Sequence, residues 1–148
     1  MPVEGRVMRR EEIETVLAEW LEGWKLRDPA AIAANYSEDC VYASMLAGTV
    51  RGRDAVESLY RSWFSAFPEM VFEVEARIID GAQAAVFWAQ RGRHVGDFCG
   101  LAGTGRNFQL QGVFLMSFKE GLIERMQSIY DFTGFLLQVG VLKAKPAI

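Results

Sequence analysis

The sequence predicts an α+β fold: three N-terminal helices packed in a strongly curved, mostly antiparallel sheet, with a short helix at the C-terminus. Three observations predict it. Apolar residues recur at helical spacing through much of the chain before Pro68. After Pro68 the apolar period falls to two, the period of a strand with one buried face. Short Gly-containing segments then separate the period-two runs, as between strands that pair with their neighbours. Helices followed by antiparallel strands is an α+β order.

The elements follow in turn. "RREEIETVLAEWLEGWKLRD" places Ile13, Val16, Leu17, Trp20, Leu21 and Trp24 on one helical face, with acidic residues in the first turn where the helix dipole favours them. Asp28 is set to cap a short second helix, "DPAAIAANY", with Pro29 at its first position. "SEDCVYAS" reads as a short strand. "GRDAVESLYRSWFSAFP" is a third helix, with Val56, Leu59, Tyr60, Trp63, Phe64 and Phe67 on its apolar face and Pro68 as its stop. "MVFEVEARIID" sets Met70, Phe72, Val74, Ala76 and Ile78 against Val71, Glu73, Glu75 and Arg77, so the first set is expected to be buried. After the Asp80-Gly81 turn, "AAVFWAQRGRHVGDF" is a second long strand and "GLAGTGR" a connection. "NFQLQGVFLMSF" and "LIERMQSIY" are joined by the tight turn "KEG", and "FTGFLLQVG" closes as a helix, with Pro146 near the tail. A strongly curved sheet around helices makes a cone, and a cone encloses a cavity, the natural place for a ligand.

The 148 residues suit one domain, 1–148, with a core over about 10–142. Hydrophobic residues are 51% and charged residues 24%, a soluble, globular balance. A net charge of −3 and a pI near 5.2 exclude the basic stripe of a nucleic-acid surface. No apolar run approaches the ~20 residues of a membrane span. The N-terminus lacks a hydrophobic signal core, so a cytoplasmic protein is expected. Cys40 and Cys99 lack CxxC spacing and read as reduced thiols. One histidine, His94, and two scattered cysteines do not make a zinc site, and no metal is expected. "GLAGTGR" has neither the P-loop pattern nor a helix after it.

The order of elements, together with "GRHVGDFCG" (92–100), "TGR" (104–106), "GVFLMSFKEGLIE" (112–124), "YDFTGFLLQVG" (130–140) and the FP of "SAFPEM", resembles the SnoaL-like polyketide cyclase family of the nuclear transport factor 2-like superfamily. The resemblance spans roughly residues 10 to 142. It implies a cone-shaped (cystatin-like) fold, usually a homodimer, with a pocket for a polyketide-, steroid- or terpenoid-like molecule. It also implies cofactor-free ring closure or isomerisation, with a pocket aspartate as general acid/base. An apolar cavity raises a carboxylate pKa toward neutrality and makes it a usable base.

Carried over position by position, the resemblance puts the family's catalytic aspartate on Ser128, its supporting histidine on Phe114, a glutamine on Gly112 and a pocket asparagine on Tyr42. Strand parity agrees, with Met126, Ser128 and Tyr130 on one face of the last strand and Gln127, Ile129 and Asp131 on the other. The expected pocket residues are Tyr42, Trp63, Phe114, Met116 and Met126. Four residues are candidates for chemistry. Asp131 is either a pocket carboxylate or the N-cap of "FTGFLLQ", and its position and parity favour the cap. His94 is either a proton shuttle or a satisfied structural histidine. Tyr130, like Tyr42, can donate a phenolic hydrogen bond to an enolate oxygen. Ser128 has no adjacent base and reads as polar lining. Two functions follow, a cofactor-free cyclase or isomerase, or a small-molecule-binding protein that has lost the acid/base set; the resemblance also implies a third, a protein-interaction module that uses the open sheet face.

Overall fold

The computed structural model describes residues 8–145; Pro146 lies outside them. Helices α1 (Arg10–Lys25), α2 (Pro29–Ala33) and α3 (Arg53–Ala66) fill the hollow of a six-stranded sheet. The strands are β1 (Tyr36–Ser44), β2 (Gly48–Arg51), β3 (Val71–Asp80), β4 (Gln83–Arg93), β5 (Asn107–Lys119) and β6 (Leu122–Tyr130), and helix α4 (Phe132–Gln138) follows. The sheet order is β2-β1-β6-β5-β4-β3. Every pairing is antiparallel except β1 with β6.

Helix α1 buries Ile13, Val16, Leu17, Trp20 and Trp24, as its periodicity predicts. Asp28 caps α2 by accepting hydrogen bonds from the N–H groups of Ala30 (3.1 Å) and Ala31 (3.2 Å). Between the two helices, Arg27 takes a left-handed conformation (φ 54°). Its guanidinium donates to the carbonyls of Met70 (3.0 Å) and Phe67 (2.9 Å), tying this turn to the link between α3 and β3. Deeper in, Tyr36 and Tyr60 hydroxyls lie 2.6 Å apart and Trp20 Nε1–H donates to Tyr60. That chain joins α1, α3 and β1.

The hairpins turn where the sequence says they should. Glu120 and Gly121 both have positive φ (52° and 80°), the backbone of a type I′ turn between β5 and β6. Three features differ from the sequence expectation. Strand β2 is four residues long, with no alternation to reveal it, and is half-buried at most. The alternation expected in β3 breaks at a bulge: Val74 pairs with Trp88, but Ala76 pairs with Phe87, so Glu75 is the extra residue. Phe72 and Val74 therefore face the core as expected, but Ala76 and Ile78 are exposed and Ile79 packs inward instead. Strand β4 ends at Arg93 rather than near Phe98, because the chain leaves the sheet to place Val95 and Gly96 N–H on the Ala66 carbonyl (3.0 Å each).

At the far end, Asp131 N–H reaches the Gln111 carbonyl (3.4 Å), and the Gln138 side chain bonds both the N–H and the C=O of Gln109 (2.7 Å each). These contacts seat α4 on β5. Among the described residues, no helix is long and apolar enough to cross a membrane.

Gly23 sits where α1 meets α2. A Cβ there would lie 2.7 Å from Ile32 Cγ1 and 3.0 Å from Ile32 N. Gly23→Ala is expected to destabilise the fold by roughly 1–2 kcal/mol, overpacking outweighing the gain in helix propensity. Urea unfolding should show a lower midpoint with an unchanged slope.

Candidate functional site

The inward positions of β4 and β5 alternate as Val86, Trp88, Gln90 and as Phe108, Leu110, Gly112, Phe114. With α1 and α3 laid across them they make an aromatic cleft. Its helical wall is Trp24, Trp63 and Phe67; its sheet wall is Phe72, Trp88, Leu110 and Phe114; Phe98 from the long connection joins them. The polar members are Gln90, Ser128 and Tyr130. The rings stack closely: Trp24 on Phe72 at 4.1 Å and 9°, Trp88 on Phe114 at 5.3 Å and 30°. The remaining cavity is about 30 Å³, room for one or two waters.

The predicted residues divide. Trp63, Phe114, Ser128 and Tyr130 line the cleft. Tyr42, Met116 and Met126 are fully buried in the surrounding core and are not among the lining residues. Asp131 is exposed, on the opposite face of β6, and its Oδ1 accepts the Gly134 N–H at 2.8 Å, the geometry of an N-cap. His94 is fully buried but stands beside the cleft, against Phe67 and Phe135. Thr104 N–H lies 3.4 Å from its Nδ1 and Thr104 Oγ1 3.2 Å from the same nitrogen, while Nε2 meets no partner in the protein. Sequence reasoning missed Trp24, Phe72, Trp88, Gln90, Phe98 and Leu110 as lining. The inward parity of Trp88 and Gln90 on β4 was the available signal.

The described lining residues include no carboxylate and no imidazole. Hydroxyls take their place. Ser128 is buried beside the Tyr42 hydroxyl, and the Tyr130 hydroxyl meets the Cys99 thiol. Burial pushes the phenols of Tyr36, Tyr42, Tyr60 and Tyr130 above their ordinary range. Burial likewise raises the thiols of Cys40 and Cys99. At neutral pH these groups are hydrogen-bond donors, not bases or thiolate nucleophiles. Among the described residues, no cluster of three or more His, Cys, Asp or Glu forms a metal-binding group.

The sequence pattern of the SnoaL-like polyketide cyclase family matches residues 14–139. The chain belongs to that family. This SnoaL-like chain is 32% identical over 81 residues to aklanonic acid methyl ester cyclase AcmA of Streptomyces galilaeus, a match covering 51% of this chain and 56% of that one. It therefore aligns with little more than half the length of that curated relative. In structure the SnoaL-like fold superposes on AclR of Streptomyces galilaeus (TM-score 0.80, 23% identity, 93% of this chain and 87% of that one). It also superposes on TerC, co-crystallised with polyporic acid (TM-score 0.69, 18% identity, 87% and 98%).

Two outcomes follow for this SnoaL-like site. Asp131→Ala should cost about 1 kcal/mol of stability, the usual worth of an N-cap, in thermal or urea unfolding. All four of the chain's tyrosines have raised phenols, so absorbance near 295 nm should show almost no tyrosinate at pH 10, where unfolded tyrosines are half ionised. Because the folded state holds these protons more tightly, its stability is full below about pH 10 and falls as pH rises further.

Proposed function

We propose that this SnoaL-like protein binds a planar, apolar carbonyl compound of the polyketide type in the aromatic cleft and holds its carbonyl through hydroxyl donors. One observation carries the reading: a cleft walled by stacked rings, with Ser128 and Tyr130 as its hydroxyl-bearing side. Rings supply the apolar contact, and neutral hydroxyls orient an oxygen without the cost of burying a charge. The ligand takes the place of Phe72, a half-buried ring on edge strand β3 that stacks on Trp24 as a ligand ring would.

The second reading is cofactor-free ring closure or isomerisation, favoured by the cyclase among its relatives. Tyr130 and Ser128 then support an enolate oxygen, and the proton acceptor is solvent or the substrate itself. The absence of a carboxylate among the described lining residues favours binding over this chemistry.

A screen of polycyclic ketones by tryptophan fluorescence tests the proposal. A micromolar binder is expected. Tyr130→Phe should weaken it roughly three- to tenfold, the worth of one hydrogen bond. Phe72→Ala should tighten it while costing about 2 kcal/mol of stability. Asp131→Asn should leave affinity and any turnover unchanged. A loss of affinity in Asp131→Asn, or no binder at all, overturns the reading.

The same proposal includes a second copy of the chain on the sheet's outer face. Ile78, Phe87, Leu115 and Ile129 are exposed there, with Phe87, Val113 and Ile129 in one cross-strand row. Glu73 and Arg91 pair with each other at one end of this face (3.9 Å), so the apolar row across β4, β5 and β6 carries the two-fold pairing. Light scattering should give the mass of a dimer for the wild type and of a monomer for Phe87→Glu.

A further inference from the structure

Trp24 and Trp88 both line the aromatic cleft, and both are at least nine-tenths buried. The indole Nε1–H of each finds no acceptor in the protein. An indole N–H is a donor only, and an unmet buried donor costs on the order of 1–3 kcal/mol. A core that merely needed bulk here would use phenylalanine, as it does at Phe72 and Phe114. By contrast, Trp20, in the same aromatic layer, gives its N–H to Tyr60 at 3.3 Å.

The position of Trp88 has a specific cause. Its indole lies directly over Gly112, the residue paired with it across β4 and β5. A Cβ at Gly112 would collide with the Trp88 six-membered ring and come within 2.8 Å of Cε2, the carbon bonded to Nε1. The Ile129 carbonyl oxygen, 2.6 Å from the same position, blocks a side chain as well, so glycine at 112 serves the β5–β6 pairing and the indole together. Gly112 therefore admits Trp88 to the cleft.

We infer that Trp24 and Trp88 are ligand-binding residues whose unpartnered indole N–H groups receive a carbonyl acceptor of a planar aryl ketone or quinone. The inference rests on the reading of the cleft as the ligand site. It adds that selection depends on acceptors presented to indoles, with Gly112 as the residue that positions one of them. A planar ketone can stack on the ring of one wall and present its oxygen edge-on to an indole N–H of another.

The test compares 9-fluorenone with fluorene, the same planar frame without the acceptor, by ¹H–¹⁵N spectra of the four tryptophan indoles, with the Trp24 and Trp88 resonances assigned from Trp24→Phe and Trp88→Phe. The ketone should bind roughly three- to tenfold more tightly than the hydrocarbon and move one or both of these N–H resonances downfield. Each Phe variant keeps the ring and should reduce the ketone's advantage. Equal binding of the two compounds without downfield shifts, as when water meets the indoles, overturns the inference and leaves the cleft reading standing. A ketone advantage that survives in both variants also overturns it. If neither compound binds, the cleft reading and the inference fail together. Should a variant not fold, the wild-type indole shifts decide alone.

Discussion

The ring of Trp24 is the contact on which the arrangement depends. It stacks on Phe72 of the sheet and meets Trp20 of its own helix and Tyr60, Trp63 and Phe64 of α3. One side chain thus touches both helical layers and the sheet. Aromatic pairs of this kind add roughly 0.5–1.5 kcal/mol each beyond the area they bury. The cleft is what remains where these rings do not quite close, so the interaction that builds the core also shapes the site.

That origin explains the chemistry available. A site cut from an aromatic core favours neutral donors over charges, because desolvating a carboxylate there without a partner costs far more than desolvating a hydroxyl. The chain keeps Ser128, Tyr42 and Tyr130 in or beside this region and leaves its carboxylates outside, where Asp131 and Asp28 cap helices. His94 is held by Thr104 and serves the long connection beside the cleft.

Much of the fold was legible in the sequence because periodicity is a local signal. The α1 stripe, the Pro29 helix start, the Glu120-Gly121 turn and the parity of β6 all follow from spacing and turn chemistry. The β3 bulge was not legible, since Glu75 looks like any outward residue until pairing with β4 shows it to be extra. Strand β2 was too short to show a period. For the site, parity placed Ser128 and Phe114 correctly on the inner face. Tyr42, Met116 and Met126 obey the same parity yet lie outside the lining, because depth along the cone depends on how the helices fill it. Trp24 and Phe72 were hidden for the converse reason: each reads as ordinary core, and only the stacking of helix on sheet makes them walls.

Gln138 bears on a different matter, the fate of the sheet beyond the last rung of β6. There the N–H and C=O of Gln109 would stand open, and such a pair is a template for a foreign strand. The Gln138 amide offers one donor and one acceptor at the spacing of a backbone, and takes both. A single side chain thus stands in for a residue of a strand that is not there. It ends the ladder without an additional strand and denies that edge to a stray segment, so the sheet is guarded against aggregation at the point where its own pairing runs out.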